Sequence, residues 1–142
     1  VLFRSNLMNN STQKITTFLM FQDENAEEAM NFYISLFDHS KVISITRYGA
    51  NESGKEGTVM HASFMLNGQE YMCIDSNVKH GFTFTPAMSL YVTCDTEEEI
   101  DKLFAALSEG GNILMPLGSY PFGEKFGWVN DKYGVSWQLI KP

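Results

Sequence analysis

Thr16–Phe37, TTFLMFQDENAEEAMNFYISLF, decides the fold. An apolar run of strand length comes first. Asp23, Glu24 and Asn25 then make an acidic turn, and an apolar stripe at Ala29, Phe32, Tyr33, Leu36 and Phe37 follows the i, i+3, i+4, i+7 spacing of a helix face. The same pattern returns at Ser89–Ser108, SLYVTCDTEEEIDKLFAALS, with Asp95 in place of Asp23 and a stripe at Ile100, Leu103, Phe104 and Leu107. Carboxylates in the first turn of each helix face the positive end of its dipole. A repeat displaced by about 70 residues, half the chain, means two copies of one unit.

Working outward, each copy reads as β-α-β-β-β. The first holds strands at Ile15–Gln22, Lys41–Tyr48, Thr58–Leu66 and Glu70–Asp75, with Asn67-Gly68 as a hairpin turn. Gly49–Gly57 is a polar loop, either a lid or an exposed hairpin loop. The second copy holds strands at Ser89–Cys94, Asn112–Leu117, Lys125–Asn130 and Val135–Ile140, with a turn-rich loop at Gly118–Gly123. The fold class is α+β: two tandem βαβββ modules, 15–76 and 87–142, form a curved mixed sheet with helices on its outer face. Connector 77–86 joins them. Residues 1–14 read as a flexible leader, with Met8 as a native start and the residues before it as a cloning remnant.

At 142 residues the chain has enough length for one domain with a real core. A net charge of −7 argues against nucleic acid and anionic membranes as partners, since both need a basic surface. No apolar run approaches the roughly 18 residues of a spanning helix. Cys73 and Cys94 each sit in an apolar run, as buried reduced thiols do in a cytoplasmic protein.

Strand alternation sorts the faces. Met60, Ala62, Phe64 and Leu66 form one helix-bearing face, and Leu90, Val92 and Cys94 another. The opposite face takes His61, Ser63 and Met65, then Ser89, Tyr91 and Thr93. By the same alternation it takes Thr17, Leu19 and Phe21, and also Glu70, Met72, Ile74, Ser136, Gln138 and Ile140. That mixture of polar and apolar groups suits a concave ligand pocket or a half-solvated sheet. His61, one strand from Glu70, is a candidate acid/base pair with it or a structural histidine. Asp75 reads as a turn residue or a ligand-orienting group. Trp137 reads as core; Trp128, with Phe122 and Phe126, reads as core or pocket wall.

Asn25-Ala26-Glu27-Glu28-Ala29 with Phe32-Tyr33, Val59-Met60-His61-Ala62, and Gly127–Gln138 carry a resemblance to the PhnB-like branch of the vicinal oxygen chelate superfamily. This is the glyoxalase/bleomycin resistance/dioxygenase fold. The resemblance covers about Lys14 to Lys141. It implies a homodimer and, in the superfamily's enzymes, a divalent metal held from the first and fourth strands of each module. Those positions fall on Thr16, Thr17 or Phe18, on Ser89, on Met72 and on Gln138. Only Gln138 is a credible ligand, so no metal and no cofactor are expected. Branch members often carry the name 3-demethylubiquinone 3-methyltransferase. A Gly-rich loop for an adenosyl cofactor is missing, since Asp23-Glu24-Asn25 stands there.

The expectation is a cytoplasmic, homodimeric protein that binds an unknown small molecule at Phe21, Tyr91, Trp128 and Gln138. The alternative is an enzyme of this fold, either a metal-dependent lyase, isomerase or dioxygenase, or metal-free with His61 and Glu70 as catalytic residues. A third reading is a regulatory or interaction protein without a ligand.

Overall fold

The computed structural model describes residues 13–142. Most of the expected leader, Met8 included, lies outside the described residues. The chain divides into two compact units, the second beginning at Gly81.

The first unit contains β1 (Thr17–Phe21), α1 (Ala26–Leu36), β2 (Lys41–Arg47), β3 (Val59–Leu66) and β4 (Gln69–Asp75). Its sheet runs β1-β4-β3-β2, with β1 parallel to β4 and the other pairs antiparallel. The second unit repeats this with β5 (Leu90–Thr93), α2 (Glu97–Ser108), β6 (Asn112–Tyr120), β7 (Gly123–Asn130) and β8 (Ser136–Lys141), in the order β5-β8-β7-β6. Each module therefore carries its own four-stranded mixed sheet with one helix packed on one face.

The helices start by different means. In α2, Thr96 Oγ1 accepts from Glu99 N at 3.1 Å, and Glu99 Oε1 accepts from Asp95 N at 2.8 Å. These are a capping hydroxyl and a glutamate reaching back over the same turn. In α1, Asn25 makes no side-chain cap. Asp75, from the end of β4, accepts from Ala26 N at 2.9 Å and from Val59 N at 2.8 Å. It is 5% exposed. Asp75 is thus neither a plain turn residue nor a ligand-orienting group; it closes the helix and pins the start of β3.

Under α1 lie Leu19, Phe21, Ala62, Phe64 and Cys73, all buried. Under α2 lie Val129, Trp137 and Leu139. Trp137 is core as expected, and Asp131 Oδ2 accepts from its indole N–H at 2.9 Å. Gly127 lets α2 approach β7 closely: a β-carbon there would stand 2.5 Å from the Phe104 ring.

One expectation changes. The second strand of the second module does not stop at Leu117. It runs to Tyr120, and Pro116 falls in a register shift between Met115 and Gly118, where no ladder N–H is needed. Gly118–Gly123 is therefore mostly strand. The 49–57 loop is a hairpin loop held at its base, with Tyr48 N donating to Thr58 O and Gly57 N to Tyr48 O, both at 2.9 Å. The Tyr48 ring lies on Gly54, so close that a β-carbon would come within 2.3 Å of it.

Candidate functional site

Register places the first sheet's open face, the one turned away from α1. Thr17 stands opposite Tyr71, Leu19 opposite Cys73 and Phe21 opposite Asp75. Residues directly opposite on neighbouring strands share a face. Phe64, opposite Tyr71, and Ala62, opposite Cys73, are the buried helix-side residues of β3. Thr17, Leu19 and Phe21 therefore lie under α1, and their placement on the open face is corrected. Phe21 is 2% exposed. The physical reason is that TFLMF is apolar at both phases of a two-residue period, so its alternation names no face.

Phe18 takes the open position instead. It pairs with Met72, is 51% exposed, and stacks on His61 with ring centroids 6.2 Å apart. Glu70 pairs with Met65, four residues along β3 from His61. At about 3.3 Å per residue that is about 13 Å of strand, too far for a direct acid/base pair. The structure thus brings His61 to Phe18 and not to Glu70.

In the second unit three expected residues form one row. Tyr91 on β5 stands opposite Gln138 on β8, and Gln138 stands opposite Trp128 on β7. Tyr91 is 59% exposed. Two serines orient this row. Trp128 Nε1 donates to Ser136 Oγ at 2.9 Å, Ser136 Oγ shares a proton with Ser89 Oγ at 2.7 Å, and Gln138 Nε2 donates to Ser89 Oγ at 3.2 Å. Ser136 is fully enclosed. Among the described residues no donor reaches Gln138 Oε1. Asn130, two residues from Trp128 and opposite Ser136, holds its Oδ1 buried without a partner. Phe122 and Phe126 do not join this row; they pack edge-to-face at 4.8 Å, with Tyr120, around the β6–β7 hairpin.

The serines were legible as members of the open face, but their role was not. They lie 47 residues apart and meet only through the parallel β5–β8 pairing. Phe18 carried no sequence signal that set it apart from Leu19.

The donor set decides whether a divalent metal fits. Met72 faces Phe18, and Gln138 faces Tyr91. A thioether and a neutral amide beside two aromatic rings do not make a zinc or iron site. Among the described residues no three His, Cys, Asp or Glu side chains converge. The thiols are also unsuited: Cys73 and Cys94 are free and buried, and burial pushes each pKa up to about 12. The residues present do not fit the superfamily's metal.

A family model described as 3-demethylubiquinone-9 3-methyltransferase matches residues 13–140. A solved structure from Bacillus cereus, described as a candidate 3-demethylubiquinone-9 3-methyltransferase, PhnB protein, is 72% identical, with a TM-score of 0.89. The match covers 92% of this chain and 100% of that one. Protein PA1353 from Pseudomonas aeruginosa is 25% identical with a TM-score of 0.78, over 92% of this chain and 98% of its own. A glyoxylase/bleomycin resistance protein/dioxygenase domain from Frankia is 15% identical, with a TM-score of 0.63 over 93% of each chain, and shares the fold.

Proposed function

Because the chain belongs to the 3-demethylubiquinone-9 3-methyltransferase family, the PhnB-like branch of the glyoxalase/bleomycin resistance fold, we propose that it binds a small molecule at Tyr91, Gln138 and Trp128. The observation that carries this reading is the row itself. An exposed ring, an oriented carboxamide and an indole stand side by side on one face, held by serines whose own hydrogen bonds face inward. Preorganised polar groups among aromatic walls are what a small ligand uses. Phe21 has no part in this reading. A reaction at the first sheet would rest on His61 alone, beside Phe18, since Glu70 stands opposite Met65.

The methyl transfer in the family's description draws no support from these residues. The β1–α1 turn, Asp23-Glu24-Asn25, has no glycine, and the first helix amide is held by Asp75. The proposal includes a homodimer in the cytoplasm. The exposed apolar side chains Val42, Ile43 and Ile113 on β2 and β6 support the first part, and two free thiols the second.

The test is a thermal-shift screen of a broad metabolite library against wild type and a Tyr91→Ala/Gln138→Leu double variant. Compounds that stabilise wild type and not the variant support the reading. A library in which every hit stabilises both proteins equally removes it.

A further inference from the structure

We propose that the ligand of this row is an organic cation with a flat apolar body; this rests on the reading that Tyr91, Gln138 and Trp128 receive a small molecule. The first ground is charge. The open-face positions of β5, β7 and β8 hold no Lys, Arg or His. The nearby lysines point elsewhere: Lys125 is held by Glu97 at 2.9 Å and Asp101 at 2.7 Å, and Lys141 by Glu124 at 2.6 Å. A carboxylate or phosphate on this face would lose its hydration with no positive charge to replace it.

The second ground is the state of the polar groups. The indole N–H of Trp128, the strongest neutral donor of the row, is engaged by Ser136. Trp128 therefore offers its ring rather than a donor. Gln138 is anchored through its amide nitrogen, which leaves the carbonyl oxygen as the group presented. The donors that remain, the Tyr91 hydroxyl, one serine hydroxyl and one amide hydrogen, are uncharged. Tyr91 adds an exposed ring beside that oxygen. Two π faces and a carbonyl oxygen attract a cation, and the row offers an anion no positive charge. The net charge of −7 draws cations toward the protein as a whole.

The test uses three probes of one shape and different charge on the full chain: benzamidinium, benzamide and benzoate. The readouts are the indole N–H resonance of Trp128 and the backbone amides of Tyr91 and Gln138. Benzamidinium should move these signals and bind at least ten-fold more tightly than benzoate and several-fold more tightly than benzamide. Gln138→Leu and Tyr91→Ala should each abolish the difference while the rest of the amide spectrum stays in place. Benzoate or benzamide binding at the row as tightly as benzamidinium overturns the cation assignment and leaves the small-molecule reading standing. No shift at these three residues from any probe at about 20 mM overturns both.

Discussion

Asp75 accepts the backbone N–H of Ala26 at 2.9 Å, although 49 residues separate them. Its other oxygen takes the N–H of Val59. One buried carboxylate thus does for α1 what a neighbouring Ser or Asp usually does at a helix start. Asp75→Ala leaves two buried amides without an acceptor and is expected to destabilise the protein by about 2–4 kcal/mol. Asp75→Asn keeps one acceptor oxygen and should lose roughly half as much. Urea unfolding of the two variants measures this. A loss below about 0.5 kcal/mol in Asp75→Ala would show that water replaces the carboxylate.

Gly127 is small because Phe104 needs the space. Gly127→Ala is expected to destabilise by about 1–3 kcal/mol through overpacking of α2 on β7. Gly118→Ala is the control, since nothing lies within 4 Å of the β-carbon built there. Equal effects at the two sites in thermal unfolding would contradict the packing account.

The two thiols predict an alkaline limit. Their folded pKa, pushed up to about 12 by burial, lies above the ordinary thiol value. The unfolded chain therefore loses protons first. Stability is fully present below about pH 9, and each thiol removes up to about 1.4 kcal/mol per pH unit as pH rises toward the folded value. Unfolding curves between pH 8 and 11 for wild type and Cys73→Ala/Cys94→Ala check the slope; the double variant should be less pH-sensitive. Native protein should also resist thiol-labelling reagent at pH 8, and unfolded protein should react at both sites.

The pair Arg47–Glu27 predicts an acid effect of opposite sense. Two hydrogen bonds from Arg47, with Oε2 at 2.5 Å, hold the Glu27 carboxyl below its usual range. A depressed folded pKa gives stability above the unfolded value, lost as pH falls through the folded one. The pair is exposed to solvent on both sides, so its coupling should be small at neutral pH. A double-mutant cycle with Glu27→Gln and Arg47→Gln should show that coupling at pH 7, and a smaller one at pH 3 or in 1 M salt.

How far the chain could be read in advance follows from where each signal lies. The module repeat, the two helices and Trp137 as core stood on periodicity, which is local, and the structure agrees. Phe21 lies buried under α1, and a strand apolar on both faces has no phase to show it. β6 was cut short because Gly118, Pro121 and Gly123 read as a turn, yet the strand continues to Tyr120 through a register shift at Pro116. Asp75 and the Ser89–Ser136 link depend on partners 47 to 49 residues away, and no local pattern marks them. No local pattern groups Tyr91, Gln138 and Trp128; strand register makes them neighbours.

Gln13 has a consequence for anyone choosing where to begin an expressed fragment. Its carboxamide donates to Glu70 O at 2.9 Å and accepts from Glu70 N at 3.1 Å, four residues before β1 begins to pair with the same strand. A side chain here imitates one more rung of backbone. A fragment starting at Lys14 would bare that rung, and an unpaired rung on a sheet margin recruits strands from other molecules. Such a fragment should self-associate more readily than one that starts a few residues earlier, and light scattering during concentration would reveal it.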